Sequence, residues 1–194
     1  MKFKGETMKK IVEMAHQLIE EHVGEHSIAV DFTMGQGNDL LFLAQLSDVK
    51  IVHGFDIQEE AVKMSEEKLK TAGLLEKAKL HLVGHEHCDA FLDGYDIGIF
   101  NFGYLPHGDE TITTMLDTSK LAVAKALKLL HKHGLLVLVV YPGHEQGQKE
   151  SAYFNSWCEE LDGHCFNVLQ MRMVNRKQAP YILAIQRIRE EKKK

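Results

Sequence analysis

Ile28-Ala29-Val30-Asp31-Phe32-Thr33-Met34-Gly35-Gln36-Gly37-Asn38-Asp39 decides how this chain is read. The run opens as an apolar strand of the kind buried in a parallel sheet. The strand ends at Asp31, and a loop with Gly35 and Gly37 follows. Asn38-Asp39 then reads as a helix N-cap ahead of the apolar run Leu40 to Leu46. Strand, glycine loop and helix start together hold a ligand against bare backbone. Glycine permits close approach, and the first N–H groups of a helix attract an anion.

The ligand can be narrowed from the same residues. A dinucleotide fingerprint needs a third glycine where Leu40 stands. Asp31, four residues before the first glycine, can instead accept from an ammonium while the helix start receives a carboxylate. A second apolar strand, Ile51 to Phe55, closes on Asp56. An acid about 20 residues beyond such a loop is placed to bind a ribose diol. An amino-acid end and a ribose together describe S-adenosylmethionine (SAM). A plain strand–helix turn with capping acids is the simpler alternative.

Working outward, 194 residues fit one α/β domain with a sizeable core, and 44% hydrophobic content is ordinary for a globular protein. No apolar run approaches the ~20 residues that span a bilayer; Leu135 to Tyr141 is only strand length. No signal region follows Met1, and Cys88, Cys158 and Cys165 form no CxxC pair, so reduced thiols and a cytoplasmic location are expected. The net charge of −5 does not announce nucleic acid. Basic clusters at Lys2 to Lys10, Arg172 to Lys177 and Arg187 to Lys194 permit RNA contact and equally suit a solvated surface.

Apolar spacing predicts a helix over 7–23, strands over 28–32, 51–56, 79–83 and 96–101, and helices over 38–47 and 58–72. A helix over 111–131 should end near Gly134, with His131 and His133 at its C-terminal dipole. Then come a strand over 135–141, a helix over 146–161 with Tyr153, Phe154 and Trp157 as its buried stripe, and strands over 165–171 and 181–188. Strand–helix alternation followed by a terminal strand pair predicts a doubly wound sheet with an antiparallel edge. No linker divides the chain: 1–194 reads as one domain, with 1–26 a helical N-terminal segment and 189–194 a charged tail.

Asn101-Phe102-Gly103-Tyr104-Leu105-Pro106 directly follows the fourth strand. Open α/β sheets bind ligands beyond the carboxyl ends of their strands, where strand order reverses. Asp31, the glycine loop and Asn101 should therefore meet in one crevice. His85-Glu86-His87-Cys88 lacks the spacing of a zinc site, and no metal is expected.

The segments 31–39, Gly54 to Gln58, Gly84 to Glu86, Phe100 to Pro106 and Tyr141 to His144 resemble the small class I SAM-dependent methyltransferases of the rRNA methylase family. The resemblance covers about Ile11 to Gln186. It implies a single-domain Rossmann-like α/β fold with a seven-stranded, mostly parallel sheet of order 3-2-1-4-5-7-6. It implies SAM as cofactor and S-adenosylhomocysteine (SAH) as product. Cofactor contacts would fall to Asp31, Met34, Gly35, Gly37, Asn38, Asp39, Asp56, Ile57, Gln58, His85, Glu86 and Asn101.

The 101–106 motif is similar to the Asn-Pro-Pro-Tyr loop of amino-group methyltransferases, with Phe102 and Gly103 replacing the prolines. That likeness gives the amine acceptor to the Asn101 oxygen and the Phe102 carbonyl, and base stacking to Tyr104. Gly103, Leu105, Pro106 and His107 would line the substrate side, and Arg176 and Lys177 would touch RNA phosphates. His144, Asp109 and His107 are candidate proton acceptors, with His144 foremost because it ends the fifth strand. The expected substrate is the 5-aminomethyl group of (2-thio)uridine at tRNA position 34, with the anticodon stem-loop as partner. Another RNA position, a small amine, or a non-enzymatic nucleotide-binding role remain open on the same fold. The resemblance also implies a homodimer, although no exposed apolar stripe in the sequence demands one.

Overall fold

The apolar runs around Val30, Val52, Ile99 and Leu138 lie side by side at the centre of the sheet, where helices cover both faces. The computed structural model describes residues 8–103 and 114–190. In chain order the elements are α1 (Ile11–His22), β1 (Ser27–Asp31), α2 (Asn38–Gln45), β2 (Val49–Asp56), α3 (Glu59–Thr71), β3 (Ala78–Leu82), β4 (Tyr95–Asn101), α4 (Leu116–Leu129), β5 (Leu130–Val140), α5 (Glu145–Glu159), β6 (Phe166–Met171) and β7 (Tyr181–Arg187). Short 3₁₀ turns, Leu75–Lys77 and His85–Ala90, flank β3.

The sheet order is β3-β2-β1-β4-β5-β7-β6, the order that the family resemblance implies. β1 to β5 pair in parallel, and β7 runs antiparallel between β5 and β6. Alternate residues of each strand feed two cores, since strand side chains have a period of two. Phe100, Leu136 and Leu138 join Ala122, Val123 and Phe154 on one face. Ile97, Ile99, Val137 and Val139 join Ala15, Ile19, Leu40 and Leu69 on the other. β3 and β6 are the edge strands, and Val168 and Leu169 of β6 stay exposed.

Three local expectations change. α4 stops at Leu129 and β5 begins at once, so His131 and His133 lie in the strand and not at a helix end. There β5 slips register against β4 between Tyr95 and Ile97, His133 takes a positive φ of 70°, and His131 Nδ1 sits 2.8 Å from Asp96 Oδ1. The buried stripe of α5 is Gly147, Glu150, Phe154 and Cys158, while Tyr153 and Trp157 are only partly covered. The first helix is described from Ile11 onward, and Thr7 lies outside the described residues. No helix among the described residues is long and apolar enough to cross a membrane.

Candidate active site

The carboxyl ends of β1, β2, β4 and β5 open into a cavity of about 810 Å³, within the size range of sites for small organic ligands. Of the predicted cofactor residues, Met34, Gly35, Asn38, Asp39, Asp56, Ile57, Gln58, His85, Glu86 and Asn101 line it.

Gly37 shows why the loop needs glycine. Its φ is +74°, and a Cβ there would meet the Ser65 Cα at 2.9 Å. This corrects the expected cap: Gly37, in left-handed conformation, occupies the N-cap of α2, and neither Asn38 nor Asp39 does. The Asn38 side chain accepts from Lys68, and that of Asp39 turns toward Asn101 and His16. Asp56 closes the loop from the other side. Its Oδ2 accepts from the Gly35 N–H and its Oδ1 from the Gln58 N–H, both at 2.9 Å.

Asp31 lies under the loop and not on the cavity wall: it is fully buried, with Oδ1 accepting from Thr33 N at 3.0 Å. Its Oδ2 has no hydrogen-bond partner. Burial, helped by the charges of Asp39 and Asp56, pushes its pKa well above the carboxylate range. Above it, Asp39 and Asp56 stand on the cavity wall, and two acids there fit a cationic ligand. Ile57 adds an apolar shelf at the cavity, left 62% exposed. These features fit SAM, which carries an ammonium, a sulfonium and a flat adenine.

His85 donates from Nδ1 to the Phe32 carbonyl, 3.2 Å away, so its Nε2 keeps a lone pair. Burial lowers its pKa, against the opposing pull of Glu86. His144 lines the cavity, yet its Nδ1 accepts from Gly147 N at 3.1 Å and caps α5. That bond engages the lone pair that a Nδ1 proton acceptor would use. Arg176 and Lys177 are exposed on the connection from β6 to β7, and Gln178 and Pro180 of the same connection reach the cavity rim.

Asn101 is fixed at both ends. Its N–H donates to Thr33 Oγ1 at 2.7 Å, and its Nδ2 donates to Asp39 Oδ2 at 3.1 Å. The Phe102 ring belongs to the core, stacked between Phe100 and Phe154 at 5.4 and 5.2 Å, so only its main chain is available to a substrate. Gly103 and Thr114 are joined twice, Gly103 N to Thr114 Oγ1 and Thr114 N to Gly103 O. Tyr104, Leu105, Pro106, His107 and Asp109 lie outside the described residues.

Sequence reading missed Thr33, His16, Tyr141 and the acid under the motif. Glu150 is fully buried and accepts from Thr114 Oγ1 and from Ser119 Oγ, at 3.2 and 2.6 Å. Its signal was present: an acid on the same helical stripe as Phe154. Burial raises its pKa from 4.5 to about 7, against the two hydroxyl bonds. An acid whose folded pKa is raised holds its proton longer folded than unfolded, so its contribution to stability falls as pH rises from 4.5 to about 7 and is flat above. At about 1.4 kcal/mol per pKa unit that fall is worth roughly 3 kcal/mol. Glu150→Gln should remove it. In urea titrations the variant gains on the wild type between pH 5 and pH 8, and equal differences at both pH values would refute the assignment.

Sheet order, glycine loop and an acid at the end of β2 together define a class I SAM-dependent methyltransferase. The chain belongs to the family described as "Putative rRNA methylase", whose model matches residues 52–187. It is 30% identical over 187 residues to the chloroplastic tRNA (mnm(5)s(2)U34)-methyltransferase of Arabidopsis thaliana, covering 90% of this chain and 68% of that protein. A structure from Clostridium thermocellum, described in the same words as the family, matches with a TM-score of 0.88 and 33% identity, over 94% of this chain and all of the other. A Streptococcus mutans structure, described as a "putative methyltransferase" in complex with SAH, matches with a TM-score of 0.84 and 31% identity, over 93% and 99% of the two chains. SAM is accordingly the cofactor of this enzyme. When bound, it supplies an electrophilic methyl group on a positively charged sulfur.

Proposed function

We propose that the protein N-methylates the 5-aminomethyl group of (2-thio)uridine at the wobble position, 34, of tRNA, giving the 5-methylaminomethyl form. The observation that carries this reading is the charge of the cavity wall. Asp39, Asp56 and Glu86 line it, and no lysine or arginine does among the described residues. A cationic donor and an amine suit such a wall, whereas an acceptor carrying a carboxylate or phosphate at its reacting end would be repelled. The name of the Arabidopsis thaliana relative supports the same nucleoside.

An ammonium has no lone pair, so the acceptor must lose a proton before it reacts. Asn101 offers a neutral amide oxygen, which can hold an N–H bond without stabilising the ammonium as a carboxylate would. Held at both ends, it can aim the free lone pair. Arg176 and Lys177 are exposed on the connection whose Gln178 and Pro180 line the cavity, and would meet phosphates of the anticodon stem-loop. Unpaired anticodon bases can be splayed into a pocket at modest cost.

Labelled SAM with tRNA from cells lacking the final wobble modification, followed by nucleoside mass analysis, tests the proposal. Label in the methylaminomethyl nucleoside is the expected result. Label in another tRNA nucleoside, or only in ribosomal RNA as the family's description favours, would replace it with the second reading. Label in neither, with SAH still bound, would point to a small amine.

A further inference from the structure

We infer that Asp39, steadied by His16, sets the direction of the Asn101 amide, so that its oxygen and not its NH₂ group faces the acceptor amine. The inference rests on the proposed amine substrate and assigns Asp39 a positioning role toward Asn101 in place of a helix cap.

A carboxylate only accepts hydrogen bonds. Asp39 Oδ2 lies 3.1 Å from Asn101 Nδ2, so the amide must turn its NH₂ toward α2. The amide is planar, which leaves Oδ1 on the opposite side. The Tyr141 hydroxyl also lies beside the amide, which pulls down a phenol pKa that burial and Asp39 raise.

Asp39 is itself held. It is 6% exposed, and its Oδ1 accepts from His16 Nε2 at 2.7 Å. The His16 ring stacks on Phe42 at 3.7 Å and 3°, which leaves it little freedom. The bond from Asn101 N to Thr33 fixes the main chain from which the amide swings. A reversed amide would set two oxygens against each other in a buried site, losing a charge-assisted bond. It would also point donors at the nitrogen lone pair and occupy the electrons the reaction needs. α1, which otherwise packs on the sheet, thus reaches the reaction through one histidine.

The test compares Asp39→Asn with the double variant Asp39→Asn/Asn101→Asp. In the single variant two amides face each other, and Asn101 has no reason to keep its direction. Turnover at saturating cofactor should fall about 100-fold, the scale of losing one aligned polar contact to the reacting group. The SAH dissociation constant should stay within about threefold. The Asn101 side-chain NH₂ signals, assigned in ¹⁵N spectra, should lose their protection from solvent exchange.

The double variant restores a donor–acceptor pair and still turns an oxygen to the cavity. It should recover at least about tenfold of the loss, with its optimum moved to higher pH, because a carboxylate there stabilises the ammonium. A double variant no better than Asp39→Asn, with both melting lower, would make Asp39 merely structural. SAH binding lost in step with turnover would make it a cofactor ligand. Each result overturns the inference. NH₂ protection unchanged in Asp39→Asn overturns it whatever the substrate. Protection lost on substitution, in a protein whose wild type labels no wobble nucleoside, refutes the proposed substrate and leaves this inference standing.

Discussion

Asn101→Ala is expected to lower turnover by about 10²–10³-fold while the SAH dissociation constant changes by less than about threefold. The fold has little reason to fail. The Asn101 N–H keeps its bond to Thr33, and the next residue keeps its bond from Phe102 N to Val139 O. Asp39 keeps His16. What disappears is the amide oxygen at the cavity, which no other described residue replaces from the same position. An interaction made with the reacting nitrogen lowers kcat, whereas one made equally with bound cofactor lowers affinity. Calorimetry with SAH and single-turnover kinetics on tRNA separate the two. Equal losses in both would move Asn101 into the cofactor's contacts and away from the acceptor.

Asp56→Ala should have the opposite signature, with SAH affinity falling at least about 100-fold. One carboxylate joins the glycine loop to the start of α3 through two backbone bonds of 2.9 Å. Hydrogen bonds to a charged group contribute about 1.5–3 kcal/mol each, and both hold the loop that encloses the ligand. A ribose diol held by the same group adds to the loss. Asp56→Asn keeps one acceptor oxygen and should fall between alanine and wild type. SAH binding in Asp56→Ala within threefold of wild type would remove Asp56 from the cofactor site.

Much of this architecture was legible before any coordinates. Apolar runs of strand length, set apart by amphipathic helices, gave the alternation, and the resemblance supplied the strand order. Errors fell where a local signal met a tertiary one. His131 and His133 looked like a helix end because propensity carries through Leu129, but pairing with β4 claims that segment for β5. Asp39 looked like a cap because caps are local, and nothing local shows Asn101 arriving from 62 residues away. Glu150 was readable in principle, since it shares a stripe with Phe154, but a buried acid is a poor guess until two hydroxyls are seen beside it. The role of Tyr104 and of Asp109 stays a sequence-based expectation.

The order β5-β7-β6 has a consequence for synthesis. β6 pairs with nothing but β7, and β5 needs β7 along one side, yet β7 leaves the ribosome after both. Until then the nascent chain presents Leu135 to Val140 with an open backbone edge, a template for wrong partners. Yield in the cell should therefore depend on how promptly residues 181–187 are delivered or on what shields that edge meanwhile.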